Sequence, residues 1–137
     1  MSAIVVGDAN YTSFQRKLIE LSFENIHKCS SGKSRHVSFM VKKNKILVIG
    51  VNHESKSHTL AHRFNFYHNC IHSELHAISR FPRHAAKYCD ASLYNVRINR
   101  YNEIKLSKPC ANCQNMLAAF NIRDIYYTDD DGSFKRF

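Results

Sequence analysis

The chain has 137 residues, 44% of them hydrophobic and 23% charged, with a formal net charge of +9. That balance excludes a disordered chain, and the length suffices to bury a substantial core, so one domain over residues 1–137 is expected. No apolar run approaches the roughly 18–20 residues of a membrane span, and the start lacks the features of a secretory signal; no membrane partner is expected, and a cytoplasmic address follows by default.

Residues 11–28 place Phe14, Leu18, Leu21 and Ile26 near helical spacing, with Gln15, Arg16, Lys17 and Glu20 between them. This predicts an amphipathic first helix, with Thr12 or Ser13 as its cap, broken by the polar residues 30–34. Residues 35–43 alternate, with Val37, Phe39 and Val41 on one side, and Lys43 and Asn44 mark a tight reversal into the apolar run 45–51. Together they predict a strand hairpin. Residues 53–69 are polar, aromatic and rich in histidine without a clean period, and read as a long loop. Its Phe64, Phe66 and Tyr67 are of a type that either packs or stacks on a base.

A second helix is expected over residues 71–81, ended by Pro82, then a basic stretch at 83–87 and a buried strand at 91–99 carrying Leu93, Val96 and Ile98. Pro109 is expected at the first position of a third helix that runs through Met116, Leu117 and Phe120. Residues 122–128 read as a further strand. Asp129, Asp130, Asp131 and Gly132 form a turn signal, and residues 133–137 return as an edge strand. This order implies a mixed sheet with helices packed against it.

The five cysteines (Cys29, Cys70, Cys89, Cys110 and Cys113) are odd in number and unevenly spaced. They read as free thiols or metal ligands instead of a disulfide framework. Two short motifs carry the chemistry: His72-Ser73-Glu74 and Pro109-Cys110-Ala111-Asn112-Cys113. Three residues apart at a helix start, the two sulfurs face one side, and the helix N-terminus favours them as thiolates. His72 adds one nitrogen, giving a tetrahedral zinc site with the fourth position open for water. Glu74 is then placed to accept a proton from that water without ligating. A His-x-Glu followed by Pro-Cys-x-x-Cys is the general signature of zinc nucleobase deaminases.

The resemblance is to the cytidine/deoxycytidylate deaminase superfamily, and it extends past the two motifs. The run His72-Ser73-Glu74-Leu75-His76-Ala77-Ile78 resembles that superfamily's motif helix, with Ser73 where Ala or Val is usual. Ile49-Gly50-Val51-Asn52 resembles its Gly-x-Asn at the end of the second strand. The fold implied is a three-layer α/β/α sandwich around a mixed sheet of about five strands. The activity implied is hydrolytic deamination: a metal-activated water attacks C4 of cytosine, or C6 of adenine, while Glu74 moves the protons to the ring nitrogen and the departing amine. By the same resemblance Asn52 and Ser73 are expected at the substrate, the cofactor is Zn2+, and the protein is a homo-oligomer.

The substrate class is less determined. A cytosine-bearing nucleoside or nucleotide (cytidine, deoxycytidine or dCMP) is the first expectation, with Arg35, Lys56, Arg63, Arg80 or Arg83 available to hold a phosphate. The return at 129–137 resembles the antiparallel fifth strand of free-nucleoside deaminases. A base within RNA or single-stranded DNA is the alternative, favoured by the charge of +9. A non-enzymatic Cys3His zinc module binding nucleic acid is the third, with Cys70 as fourth ligand; it leaves Glu74 without a role.

Overall fold

A computed structural model describes residues 10–29, 34–54, 70–80 and 91–137. Helix α1 (Ser13–Asn25) begins at Thr12, whose hydroxyl accepts from the Gln15 N–H while the Gln15 side chain bonds back to the Thr12 N–H. This reciprocal pair satisfies two N–H groups that a helix start leaves without partners. The predicted helix is shorter at its far end, where residues 26–28 tighten into a 3-10 turn.

Strands β1 (Ser34–Lys42) and β2 (Lys45–Val51) form the expected hairpin. Lys43 and Asn44 both take positive φ, 51° and 59°, the geometry of a two-residue hairpin turn. Two short strands follow, β3 (His53–Glu54) and β4 (Cys70–Ile71), paired antiparallel to each other. The start of the expected long loop is therefore a strand, and residues 55–69 lie outside the described part. So do Lys56, Arg63 and Arg83, and the basic stretch at 83–87.

Helix α2 (Ser73–Ser79) starts two residues later than the expected second helix, because Ile71 belongs to β4 and His72 is the cap. Strand β5 (Ser92–Asn99) turns back through β6 (Ile104–Lys105), which periodicity did not predict. Helix α3 (Ala111–Ala119) is followed by β7 (Asp124–Thr128) and β8 (Phe134–Arg136). The sheet order is β2-β1-β5-β7-β8, with β6 alongside β5. Among the described strands only β5 and β7 run parallel; β8 returns antiparallel to β7.

Side chains alternate across a strand, so each central strand serves two layers. On one face Val37, Phe39 and Val41 of β1 and Val96 and Ile98 of β5 pack with Leu18 and Ile19 of α1. On the other face Met40, Leu93 and Ile125 pack with Leu75 and Ile78 of α2 and Met116 and Leu117 of α3. The result is the three-layer α/β/α architecture with a mixed sheet. No helix among the described residues is long and apolar enough to cross a membrane.

Two contacts fix α2 on the sheet. A Cβ added at Gly50 of β2 would lie 2.4 Å from the Ala77 nitrogen and 2.5 Å from the Ser73 carbonyl oxygen, so helix and strand backbones meet directly there. Further along, the Arg80 guanidinium donates to the Ile49 carbonyl (2.8 Å), and His76 Nδ1 accepts from the Val51 N–H (2.9 Å).

Candidate active site

His72 is the residue just before α2, with extended backbone (φ −68°, ψ 151°), and it presents its ring from the helix start. Cys110 plays the same part for α3 (φ −67°, ψ 167°), and its sulfur accepts from the Cys113 N–H at 3.5 Å. This corrects the expected placement of Pro109: it precedes the cap and is not the first helical residue. The reason is that the Cys110 thiolate itself does the capping, as small acceptor side chains do at helix starts. Cys113 lies one turn in, fully buried against Met116 and Leu117, whereas Cys110 is exposed.

The segment leading to Cys110 is pinned by a buried polar knot. Ser107 donates to the Asn95 carbonyl (2.8 Å) and accepts from the Thr128 N–H (2.8 Å), while the Asn95 amide donates to the Ser107 carbonyl (3.2 Å). Each of these groups is buried and each finds a partner, as the interior demands.

His72 Nδ1 lies 3.7 Å from Cys110 Sγ and 3.5 Å from Cys113 Sγ. All three donor atoms lie within 4.8 Å of one another. A tetrahedral zinc with its usual bond lengths needs a nitrogen–sulfur spacing of about 3.6 Å. One nitrogen and two sulfurs at this spacing therefore fit the ion, in donor type and in geometry.

Among themselves the three groups share protons unequally. The Cys113 thiol and the His72 ring both donate toward Cys110, which holds its thiol down to about 4. The Cys113 thiol is pushed up, first by that same bond to Cys110 and then by burial. The His72 ring is raised, chiefly by Cys110 and against the effect of burial. Zinc must therefore displace protons from Cys113 and His72 but not from Cys110. Affinity is expected to rise with pH between about 5 and 8, by about a decade per unit for each proton displaced. Competitive zinc titrations across that window check the slope; a flat profile would contradict this proton distribution.

Glu74 sits in the first turn of α2 and is buried. Ser73 Oγ donates to its Oε1 (3.1 Å), and the Glu74 charge bears on both His72 and Cys113. Beneath it lies the second parity of the central strands. Ser34, His36 and Ser38 of β1 face Asn99, Arg97 and Asn95 of β5 in register. Arg97 Nε donates to Ser34 Oγ (2.9 Å), and the His36 ring contacts the same oxygen (3.0 Å). Burial first of all keeps the His36 ring below its usual range, opposed by Glu74 and reinforced by Arg97 and His72. This polar floor was missed in the sequence, although polar residues alternating through an otherwise buried strand are a readable signal.

The remaining candidates are placed as follows. Asn52 accepts from the His36 N–H (2.8 Å) and donates to the Ser34 carbonyl (3.0 Å), which ties the end of β2 to the start of β1. The Ser73 hydroxyl is buried beneath the site. Arg35 is bonded to Asn102 Oδ1 (2.7 Å) and to the Asn99 carbonyl, and Arg80 to Ile49. Cys70 belongs to β4, and its side chain is outside the described part.

A family model for the cytidine and deoxycytidylate deaminase zinc-binding region matches residues 12–129. No curated protein matches the chain in sequence. Among solved structures, cytidine deaminase from Burkholderia pseudomallei is similar at 16% identity and a TM-score of 0.63, covering 93% of this chain and 92% of that one. Cytidine deaminase from Mycobacterium leprae is similar at 14% identity and TM-score 0.56, over 89% and 92% of the two chains. A dCMP deaminase from the cyanophage S-TIM5, in complex with dCMP and dUMP, is similar at 16% identity and TM-score 0.54, over 90% and 89%. At these identities the structural likeness shows the fold.

Proposed function

Because the chain belongs to the cytidine and deoxycytidylate deaminase family through its zinc-binding region, we propose that it hydrolyses the amino group of a cytosine-bearing nucleoside or nucleotide. Water enters, ammonia leaves, and the uracil form is the product. The observation that carries this reading is the triangle of His72, Cys110 and Cys113 with a buried carboxylate, Glu74, in the first turn of the helix that His72 begins. A closed structural zinc site gives that carboxylate no task; a catalytic one needs it.

His72, Cys110 and Cys113 would hold the ion, which supplies a water acidified toward neutrality. Glu74 takes one proton from that water to the ring nitrogen of the base, then takes the second, from the hydroxyl added to the ring, to the departing amine. Asn52 keeps one amide hydrogen and one lone pair beyond its two backbone bonds, enough to meet a sugar hydroxyl. The antiparallel β8 supports a free nucleoside. The net charge of +9 favours a phosphate on the substrate, with a base in a polynucleotide as the second reading. Assembly into a homo-oligomer goes with this proposal.

A substrate panel tests it. The zinc-loaded protein is incubated with cytidine, deoxycytidine, dCMP and cytosine- or adenine-containing oligonucleotides, and ammonia and product mass are read. Turnover of a monomeric pyrimidine is expected. Turnover of the oligonucleotides alone would move the function to the second reading, and none on any of them would overturn the enzyme.

A further inference from the structure

A carboxylate that shuttles protons must be held in place, and a glutamate side chain has three torsions to restrain. The Ser73 hydroxyl donates to the Glu74 carboxylate at 3.1 Å, and the Cys113 sulfur is near enough for the carboxylate to bear on its thiol. A sulfur that ligates a metal does so as the thiolate and has no hydrogen to donate. In the metal-loaded protein Cys113 then gives Glu74 no hydrogen bond, whereas the Ser73 hydroxyl still can.

Ser73 is itself held from behind. Ser38 Oγ stands 2.7 Å from Ser73 Oγ and within hydrogen-bond reach of Asn95 Oδ1. The Asn95 amide is oriented by its bond to the Ser107 carbonyl, and Ser107 is locked to Thr128. From Glu74 to Thr128 every member of this chain is at most 5% exposed. It crosses from α2 through β1 and β5 to the segment that delivers Cys110. Ser38 has one hydroxyl proton to give: donated to Ser73 it leaves the Ser73 proton for Glu74, and donated to Asn95 Oδ1 it does not.

Resting on the deaminase reading, we propose that Ser73 is the positioning residue of Glu74. Its hydroxyl, accepting from Ser38, donates its own proton to Oε1 and so aims the other carboxylate oxygen at the metal-bound face. Ser73 thereby acts through Glu74, not by touching substrate as its place in the motif first implied.

Two pairs of variants test this. Ser73→Ala removes the hydroxyl with little change in volume; Ser73→Val and Ser73→Thr have the same shape and differ in the hydroxyl alone. All are expected to hold zinc like the native protein. On the substrate identified by the panel, kcat should fall roughly 10–100-fold in the Ala and Val variants, with KM nearly unchanged, and return to near native in the Thr variant. Crystal structures of the zinc-loaded Val and Thr variants supply a readout free of activity: the Glu74 carboxylate should turn away in the first and keep its place in the second. Native kcat in Ser73→Ala, or an unmoved carboxylate in Ser73→Val, would overturn the proposal. If the native protein turns over nothing, the deaminase reading fails, while the two crystal structures still decide whether Ser73 positions Glu74.

Discussion

Glu74→Gln is expected to cut turnover by about three orders of magnitude while leaving zinc in place, since a positioned proton carrier contributes typically 10²–10⁴-fold. The substitution keeps the shape of the side chain and an oxygen that can accept from Ser73 at the Oε1 position. It removes the ability to take up and return a proton. His72, Cys110 and Cys113 are untouched, so metal content by elemental analysis should equal that of the native protein. Residual activity within tenfold of native would remove Glu74 from the proton path and favour a structural metal site.

Loss of either sulfur is expected to be as severe, but the two losses differ in kind. Serine is among the best residues to begin a helix, and Cys110 is exposed at that position, so Cys110→Ser should retain the fold and lose the metal. Cys113 is buried among Met116, Leu117 and Leu75, where a serine hydroxyl lacks apolar compatibility. Cys113→Ser should lose the metal and about 1–3 kcal/mol of stability as well. Zinc affinity is expected to drop more than about 100-fold in both, exceeding the 10–100-fold that follows from changing groups one layer behind a metal. Zinc content and thermal unfolding, measured side by side, separate the two effects. Cys70→Ser serves as the control, expected to keep its zinc; loss of zinc there would establish a Cys3His site.

Much of this fold was legible in local patterns. The spacing of Phe14, Leu18 and Leu21 located α1, and Lys43-Asn44 located the hairpin turn, because each is governed by near neighbours. His72, Cys110 and Cys113 were legible as one cluster because metal chemistry restricts both residue type and spacing. What escaped depends on distant partners. Strands of two residues, such as β3, β4 and β6, contain no period to read and exist through their pairing. Pro109 was misplaced because a cysteine cap is outside the usual capping set. Ser38, Asn95 and Arg97 went unnoticed because the apolar parity of β1 and β5 drew attention to the face against α1. Their own parity had meaning only once α2 was known to lie over them.

The bonds from Arg80 and His76 to the backbone of β2 have a consequence for solubility. β2 is the last strand of the sheet among the described residues, and such a strand offers its outward N–H and C=O groups as a template for another chain. Here the Ile49 carbonyl and the Val51 N–H are occupied by side chains of α2. The helix that carries His72 and Glu74 thus also acts as a guard against strand addition. Damage that loosens α2 would disturb the metal ligand at its start and unmask an aggregation template in a single event.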